Sequence, residues 1–173
     1  SSPRPRGRPW PGWLDSWVDG RNGVSITDGG LRFISPWGSL RYAAITALMA
    51  GFYADAVIDP EGRYGQLATD TVDYILGDNP RQFSYMVGYG NAYPQQPHHR
   101  AASGVGWDGF RNGQPNAHVL TGALVGGPNQ ANDFAYTDRR DDYISNEVAL
   151  DYNAGLTGAL AFAFGQNTSL GLV

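Results

Sequence analysis

Hydrophobic positions in this chain fall into three helical rows separated by long, turn-rich stretches. Between Ser39 and Val57, the residues Ile45, Leu48, Met49, Phe52 and Ala56 recur at helical spacing, and Ser39 is a natural cap. A shorter helix is expected from Gln66 to Leu76, stopped by Gly77 and by Pro80 beyond it. The clearest row runs from Asp142 to Phe164, where Ile144, Val148, Tyr152, Leu156 and Leu160 are spaced by four. Beside it lie Glu147, Asp151, Ala154 and Gly158, acidic at one end and small at the other, which suits close packing of a second backbone. No stretch alternates convincingly as a strand. Residues 1–36 read as irregular, and residues 78–141 hold no long periodic run. The pattern predicts an all-α fold with one long functional loop region.

Composition sharpens this picture. With 24 Gly and 11 Pro in 173 residues, the chain is rich in loop formers relative to the roughly 12% of average usage. Ten Tyr, seven Phe and five Trp accompany them, and aromatic-bearing loops commonly form binding surfaces. A net charge of -4 argues against general affinity for nucleic acids or anionic membranes. The one basic run, PRPRGRPWPG from Pro3 to Gly12, reads as an extended, polyproline-like connection. No apolar run reaches membrane-spanning length, and the first residues lack the apolar core of a signal peptide. A mature secreted form or an internal piece of a longer chain fits that start. The absence of cysteine excludes disulfides, thiolate metal sites and cysteine nucleophiles.

Candidate chemistry concentrates in two places. His98 and His99 are adjacent, but neither has a second histidine three or four residues away, so the helical zinc arrangement is missing. There is no G-x-S-x-G elbow and no phosphate-binding loop. The acids Asp138, Asp141, Asp142, Glu147 and Asp151 crowd a single segment. Asp141 and Asp142 are explained by complementing a helix N-terminus. Glu147 borders the apolar row, and an apolar setting favours the protonated carboxyl that a general acid requires. Glycosidic cleavage needs such an acid and a second carboxylate. Glu147 and Asp151, four apart on one helix, would sit on the same side of a sugar ring, so Glu147 needs a partner from another element.

The segments SYMVGYGNAYPQQPHHRAAS and YTDRRDDYISNEVALDYNAG closely resemble the two C-terminal active-site signatures of glycoside hydrolase family 9, the inverting cellulases. PWGSLRYAA, DYILGDNP and VLTGALVGGPN are similar to the segments that precede and separate them, and the likeness runs from Gly30 to Ala161. The resemblance implies an (α/α)6 barrel of which this chain supplies the C-terminal part. Residues 1–29 would be an irregular Pro/Arg-rich lead-in, and residues 30–173 the C-terminal part of the catalytic domain. It implies an endo-β-1,4-glucanase acting on cellulose or related β-glucans with inversion and secreted from the cell. Glu147 would be the proton donor and Asp138 the signature's active-site aspartate, ordering substrate or a neighbouring acid. His98, Arg100 and Tyr143 would bind substrate, as would Trp37, which directly precedes GSLRYAA. Ala92 departs from the Asn, Lys or Arg usual at its position, which trims one polar contact. His99 reads as structural.

The resemblance also implies a part not found here. The family's catalytic base comes from an Asp-rich motif in the N-terminal half, and Asp15, Asp19 and Asp28 stand in no such context. The expected partners are therefore a β-glucan and the N-terminal half of the same enzyme, or a completing chain. About three long helices cannot close a six-hairpin ring, so apolar helix faces should be left open. No cofactor is required, and the structural calcium found in relatives has no placeable site. The alternative is a non-catalytic glycan-binding or structural module that keeps the cleft and lacks the base.

Overall fold

Three long helices provide the packing, and the loops between them hold the polar chemistry. The computed structural model describes residues 9–56 and 59–169, with side chains described from 12 to 56 and from 59 to 166. Helix α1 (Pro9–Asp19) leads into an antiparallel hairpin of two-residue strands, β1 (Ser25–Ile26) and β2 (Arg32–Phe33). Helices α2 (Ser39–Ala56) and α3 (Arg63–Leu76) follow. A long irregular stretch then contains the single-turn helix α4 (Arg100–Ser103) and a 3-10 turn at Trp107–Gly109. The short α5 (Tyr143–Asn146) and the long α6 (Leu150–Ser169) come last.

Helix α1 corrects the expectation of an irregular start. Pro9 and Pro11 obscure it in the sequence, yet both stand in its first turn, where a missing N–H costs no helical hydrogen bond. Leu14 and Trp17 of α1 are buried in a cluster with Ala43, Ala47 and Ala50 of α2 and Leu67, Ala68 and Val72 of α3. Arg63 of α3 pairs with Asp19 at 2.5 Å and with Asp15 at 3.5 Å. The Pro/Arg run over residues 3–8 and the helix end expected at Val57 lie outside the described residues.

Helix α2 starts at Ser39 as expected, but Ser39 does not cap it. Its Oγ donates to the carbonyl of Pro128 at 2.6 Å, which ties the helix start to a distant loop. Helix α3 starts at Arg63 rather than Gln66. The Asp59 carboxylate accepts the backbone N–H groups of Arg63, Tyr64 and Gly65, satisfying donors that a first turn otherwise leaves open. Gly77 ends α3 as predicted, its N–H returning to the carbonyls of Asp73 and Tyr74.

The buried face of α2 is not the bulky row read from the sequence. Leu40, Ala43, Ala44, Ala47 and Ala50 are buried, whereas Ile45 and Ala56 are exposed and Phe52 is 72% exposed. The small face lets α6 cross closely. A Cβ on Gly155 would lie 2.6 Å from the backbone N of Ile45, so only glycine fits there. The expected close approach along Ala154 and Gly158 is therefore shifted: Gly158 meets Leu48, and Ala154 is exposed. Leu150, Ala154, Thr157, Ala161 and Phe164 form one exposed row along α6. Such open faces are what an unclosed ring of helices leaves.

The largest correction concerns residues 142–164, which are not one helix. The chain leaves α5 at Glu147, whose backbone is extended (φ -58°, ψ 141°), and re-enters a helix only at Leu150. Glu147 pairs with His98 in a parallel bridge, and Val148 pairs with Val125 in an antiparallel one. Two loops distant in sequence thus pull the segment straight, and their backbone hydrogen bonds override the spacing-by-four pattern. A second cluster packs beneath this segment, formed by Leu31, Leu40, Ile75, Tyr85, Val87, Leu124, Val125, Tyr136, Tyr152 and Leu156.

Candidate active site

Glu147 stands at the break between α5 and α6, partly exposed, at the centre of several converging elements. Its Oε2 accepts the indole N–H of Trp37 at 2.8 Å and the hydroxyl of Tyr152 at 2.9 Å. Trp37 comes from the turn before α2, and Tyr152 from the first turn of α6. Tyr152 is buried to 1% exposure, and the positive-φ Gly38 (φ +61°) lies against its hydroxyl. Burial first, and then the adjoining Glu147 carboxylate, hold that hydroxyl protonated well above the ordinary range of a phenol. Trp37 and Tyr143 are 45% and 48% exposed with ring centroids 5.2 Å apart, a tilted aromatic pair beside the carboxylate.

His98 is brought to the same place by backbone pairing. Its N–H donates to the carbonyl of Asn146 at 2.8 Å, and its ring meets Tyr143 edge-on at 6.1 Å. Nδ1 lies 2.6 Å from the carbonyl of Arg140. A carbonyl only accepts, so Nδ1 is the donor in this contact and Nε2 is left to other partners. Arg140 itself is buried to 2% exposure. Its guanidinium donates to Asn116 Oδ1 and to the carbonyls of Phe110 and Gln114, so it fastens the 110–116 loop behind His98.

Asp138 orders its surroundings through the loop rather than through Glu147. Its Oδ2 accepts the N–H of Gln95 at 2.7 Å and its Oδ1 that of Gln96 at 3.0 Å, two residues before His98. Burial raises its proton affinity, and those two N–H groups oppose the shift. Asn146, fully buried, accepts the Tyr136 hydroxyl and donates to the carbonyl of Thr137, fixing the residue before Glu147. Asp142 caps α5 by accepting the N–H groups of Ile144 and Ser145. Asp141 does not share that task; it pairs with Arg139 at 2.8 Å, which holds its carboxyl below the ordinary range.

The remaining expected residues are placed as follows. Arg100 opens α4 and its guanidinium lies 4.6 Å over the exposed ring of Trp107, connecting to His98 through Trp107 and Phe110. His99 accepts the N–H of Ala102 as the cap of α4, a structural role. Asp151 lies in the first turn of α6, 3.8 Å from Arg41. Since Glu147 is off the helix, the ground for separating the two carboxylates is this chain break rather than a shared helical face. Among the described residues, no group of three or more His, Asp or Glu side chains is placed to hold a metal ion.

The sequence reading missed Tyr152, Asn146, Tyr136 and Arg140 as parts of the site. Tyr152 stands as one more residue of the apolar row, and nothing in DRRDD separates Arg140 from Arg139. Arg140 acts on the 110–116 loop, remote from it in sequence, and Tyr152 meets Glu147 five residues away only because the chain between them leaves the helix.

The sequence profile of glycosyl hydrolase family 9 matches residues 10–160. The chain belongs to glycosyl hydrolase family 9. It is 50% identical over 153 residues to "Endoglucanase B" of Cellulomonas fimi, covering 86% of this chain and 14% of that protein. It is 48% identical over 156 residues to "Endoglucanase A" of Bacillus pumilus, covering 86% and 23% respectively. Among solved structures, the cellulase Cel9M of C. cellulolyticum in complex with cellobiose superposes with a TM-score of 0.78 at 45% identity, covering 88% of this chain and 34% of that one. Endoglucanase CelQ of Clostridium thermocellum, complexed with cellobiose and cellotriose, gives 0.79 at 47% identity, with 88% and 26% covered. This family 9 chain thus spans between about a seventh and a third of the relatives it matches. Its helices form part of the family's all-α (α/α)6 barrel.

Proposed function

We propose that the enzyme containing this chain is an endo-β-1,4-glucanase that hydrolyses cellulose or related β-glucans with inversion. Glu147 is the general acid in this reading, protonating the leaving glycosidic oxygen. The base is an aspartate contributed by the N-terminal part of the enzyme, beyond the residues of this chain. The carrying observation is the seating of Glu147: a carboxyl held by Trp37 and Tyr152, flanked by the exposed Trp37–Tyr143 pair and by the His98 loop. Trp37 and Tyr143 supply faces on which glucosyl rings stack. His98 offers Nε2, and Arg100 a guanidinium, to sugar hydroxyls. Asp138 positions the histidine loop and does not touch the reacting atoms. The chemistry uses acid, base and water, and no cofactor. An insoluble, polymeric substrate places the enzyme outside the cell.

The test is product stereochemistry. Proton NMR of fresh cellohexaose digests by the complete enzyme should show the α-anomer accumulating first, from internal cuts. The β-anomer appearing first would reject inversion. Binding of cellohexaose without cleavage would establish the non-catalytic glycan module instead.

A further inference from the structure

Both donors that reach the Glu147 carboxyl converge on the same oxygen. Trp37 Nε1 and Tyr152 Oη approach Oε2 at 2.8 and 2.9 Å, and among the described residues neither they nor any other donor engages Oε1. The two are chemically unequal. A phenol can turn round and accept, whereas an indole N–H is a donor only. A hydrogen on Oε2 would therefore face the Trp37 N–H across a weakened acceptor and displace the Tyr152 hydrogen from its partner. A hydrogen on Oε1 disturbs neither contact.

We propose that Trp37 and Tyr152 are positioning residues that confine the transferable hydrogen of Glu147 to Oε1. This rests on the reading of Glu147 as the general acid. In the step itself the hydrogen leaves Oε1 as H⁺ for the glycosidic oxygen, and the anomeric C–O bond breaks with its electron pair going to that oxygen. Water completes the anomeric carbon, and its surplus proton goes to the carboxylate base supplied elsewhere in the enzyme. Glu147 is left ionised, with both donors already in place on its new charge, so no reorganisation is required as that charge develops. Tyr152 is in turn held by packing. It is buried, Gly38 lies against its hydroxyl, and Arg41 sits over its ring at 5.4 Å.

The experiment uses the complete enzyme, with Tyr152→Phe as the principal variant, because it keeps the ring and removes the donor. Two substrates are compared: an unactivated cello-oligosaccharide, and a 2,4-dinitrophenyl β-cello-oligosaccharide whose leaving group departs without protonation. Losing one hydrogen bond to a charged group should lower kcat on the unactivated substrate by about ten- to a hundredfold, with KM nearly unchanged. The rate on the dinitrophenyl substrate should stay within about threefold, as expected when only proton donation is impaired. Trp37→Phe should show the same leaving-group dependence together with a higher KM, since Trp37 also faces substrate. An equal loss on both substrates for both variants would overturn the proposal and leave Tyr152 a packing residue. Glu147→Ala is the control. If it too loses both rates equally, the acid assignment itself has failed, a result separate from failure of the positioning role.

Discussion

Replacing Asp138 by alanine removes the anchor of the histidine loop without touching Glu147. The carboxylate accepts two backbone N–H groups, and a hydrogen bond to a charged acceptor contributes about 1.5–3 kcal/mol. Water can replace the partner of the exposed Gln95 N–H, so the loss is dominated by the partly buried Gln96 contact. A destabilisation of about 2–3 kcal/mol follows, below the sum of two full bonds. Urea unfolding of the complete enzyme measures it, alongside kcat and KM on a cello-oligosaccharide. His98 should shift with the loop, so KM should rise by more than kcat falls. Asp138→Asn, which retains one acceptor, should recover part of both losses. The pH dependence has a defined sign. Burial raises the folded-state pKa of Asp138 above its unfolded value, so its contribution to stability is largest below the unfolded value and shrinks as pH rises through the folded one. Wild type should therefore lose stability relative to Asp138→Asn across and just above the ordinary carboxylate range. An Asp138→Ala enzyme with unchanged stability and KM, but with turnover as low as that of Glu147→Gln, would refute the positioning role.

Other variants probe the supports of the site. Gly38→Ala puts a Cβ into a left-handed backbone and 2.5 Å from the Tyr152 hydroxyl, so it should cost about 1–3 kcal/mol in unfolding experiments and lower kcat through the displaced tyrosine. Arg140→Ala strands the Phe110 and Gln114 carbonyls and the Asn116 side chain, and should destabilise by about 3–5 kcal/mol, with earlier proteolysis in the 110–116 loop. Gly155→Ala forces α6 away from the backbone of Ile45 and should lower Tm, at a cost of about 1–3 kcal/mol. Asp142→Ala removes the α5 cap at about 1 kcal/mol, and hydrogen exchange should show it at Ile144 and Ser145.

What the sequence revealed and what it hid divide along a physical line. The start of α2 and both ends of α3 were legible to within a few residues, because periodicity and the Gly77 stop are local. The break at Glu147 was not. The row Ile144, Val148, Tyr152 continues straight through it, and the extended conformation is imposed by His98 and Val125 from more than twenty residues away. The same failure hid Tyr152 as a partner of Glu147, since a spacing of five meets on one carboxylate only when the helix is interrupted between them. Helix α1 was masked by prolines that a first turn tolerates. On α2, the bulky residues carry the helical spacing, whereas the alanines are the buried ones because α6 approaches closely there. Arg139 and Arg140 are indistinguishable in sequence, yet one pairs with Asp141 at the surface and the other is buried behind His98. The resemblance pointed to Glu147, His98 and Tyr143 through the two signature segments and to Trp37 only through its place before GSLRYAA, and these four side chains lie together in the structure.

The most direct measurement is the turnover of Glu147→Gln in the complete enzyme, read beside a cellulose binding isotherm. Glutamine preserves the shape and an acceptor for Trp37 and Tyr152 but has no proton to give. Initial rates on cello-oligosaccharides should fall by about 10²–10⁴ while the isotherm is unchanged. Hydrolysis within a few-fold of the parent enzyme would contradict the assignment of the acid.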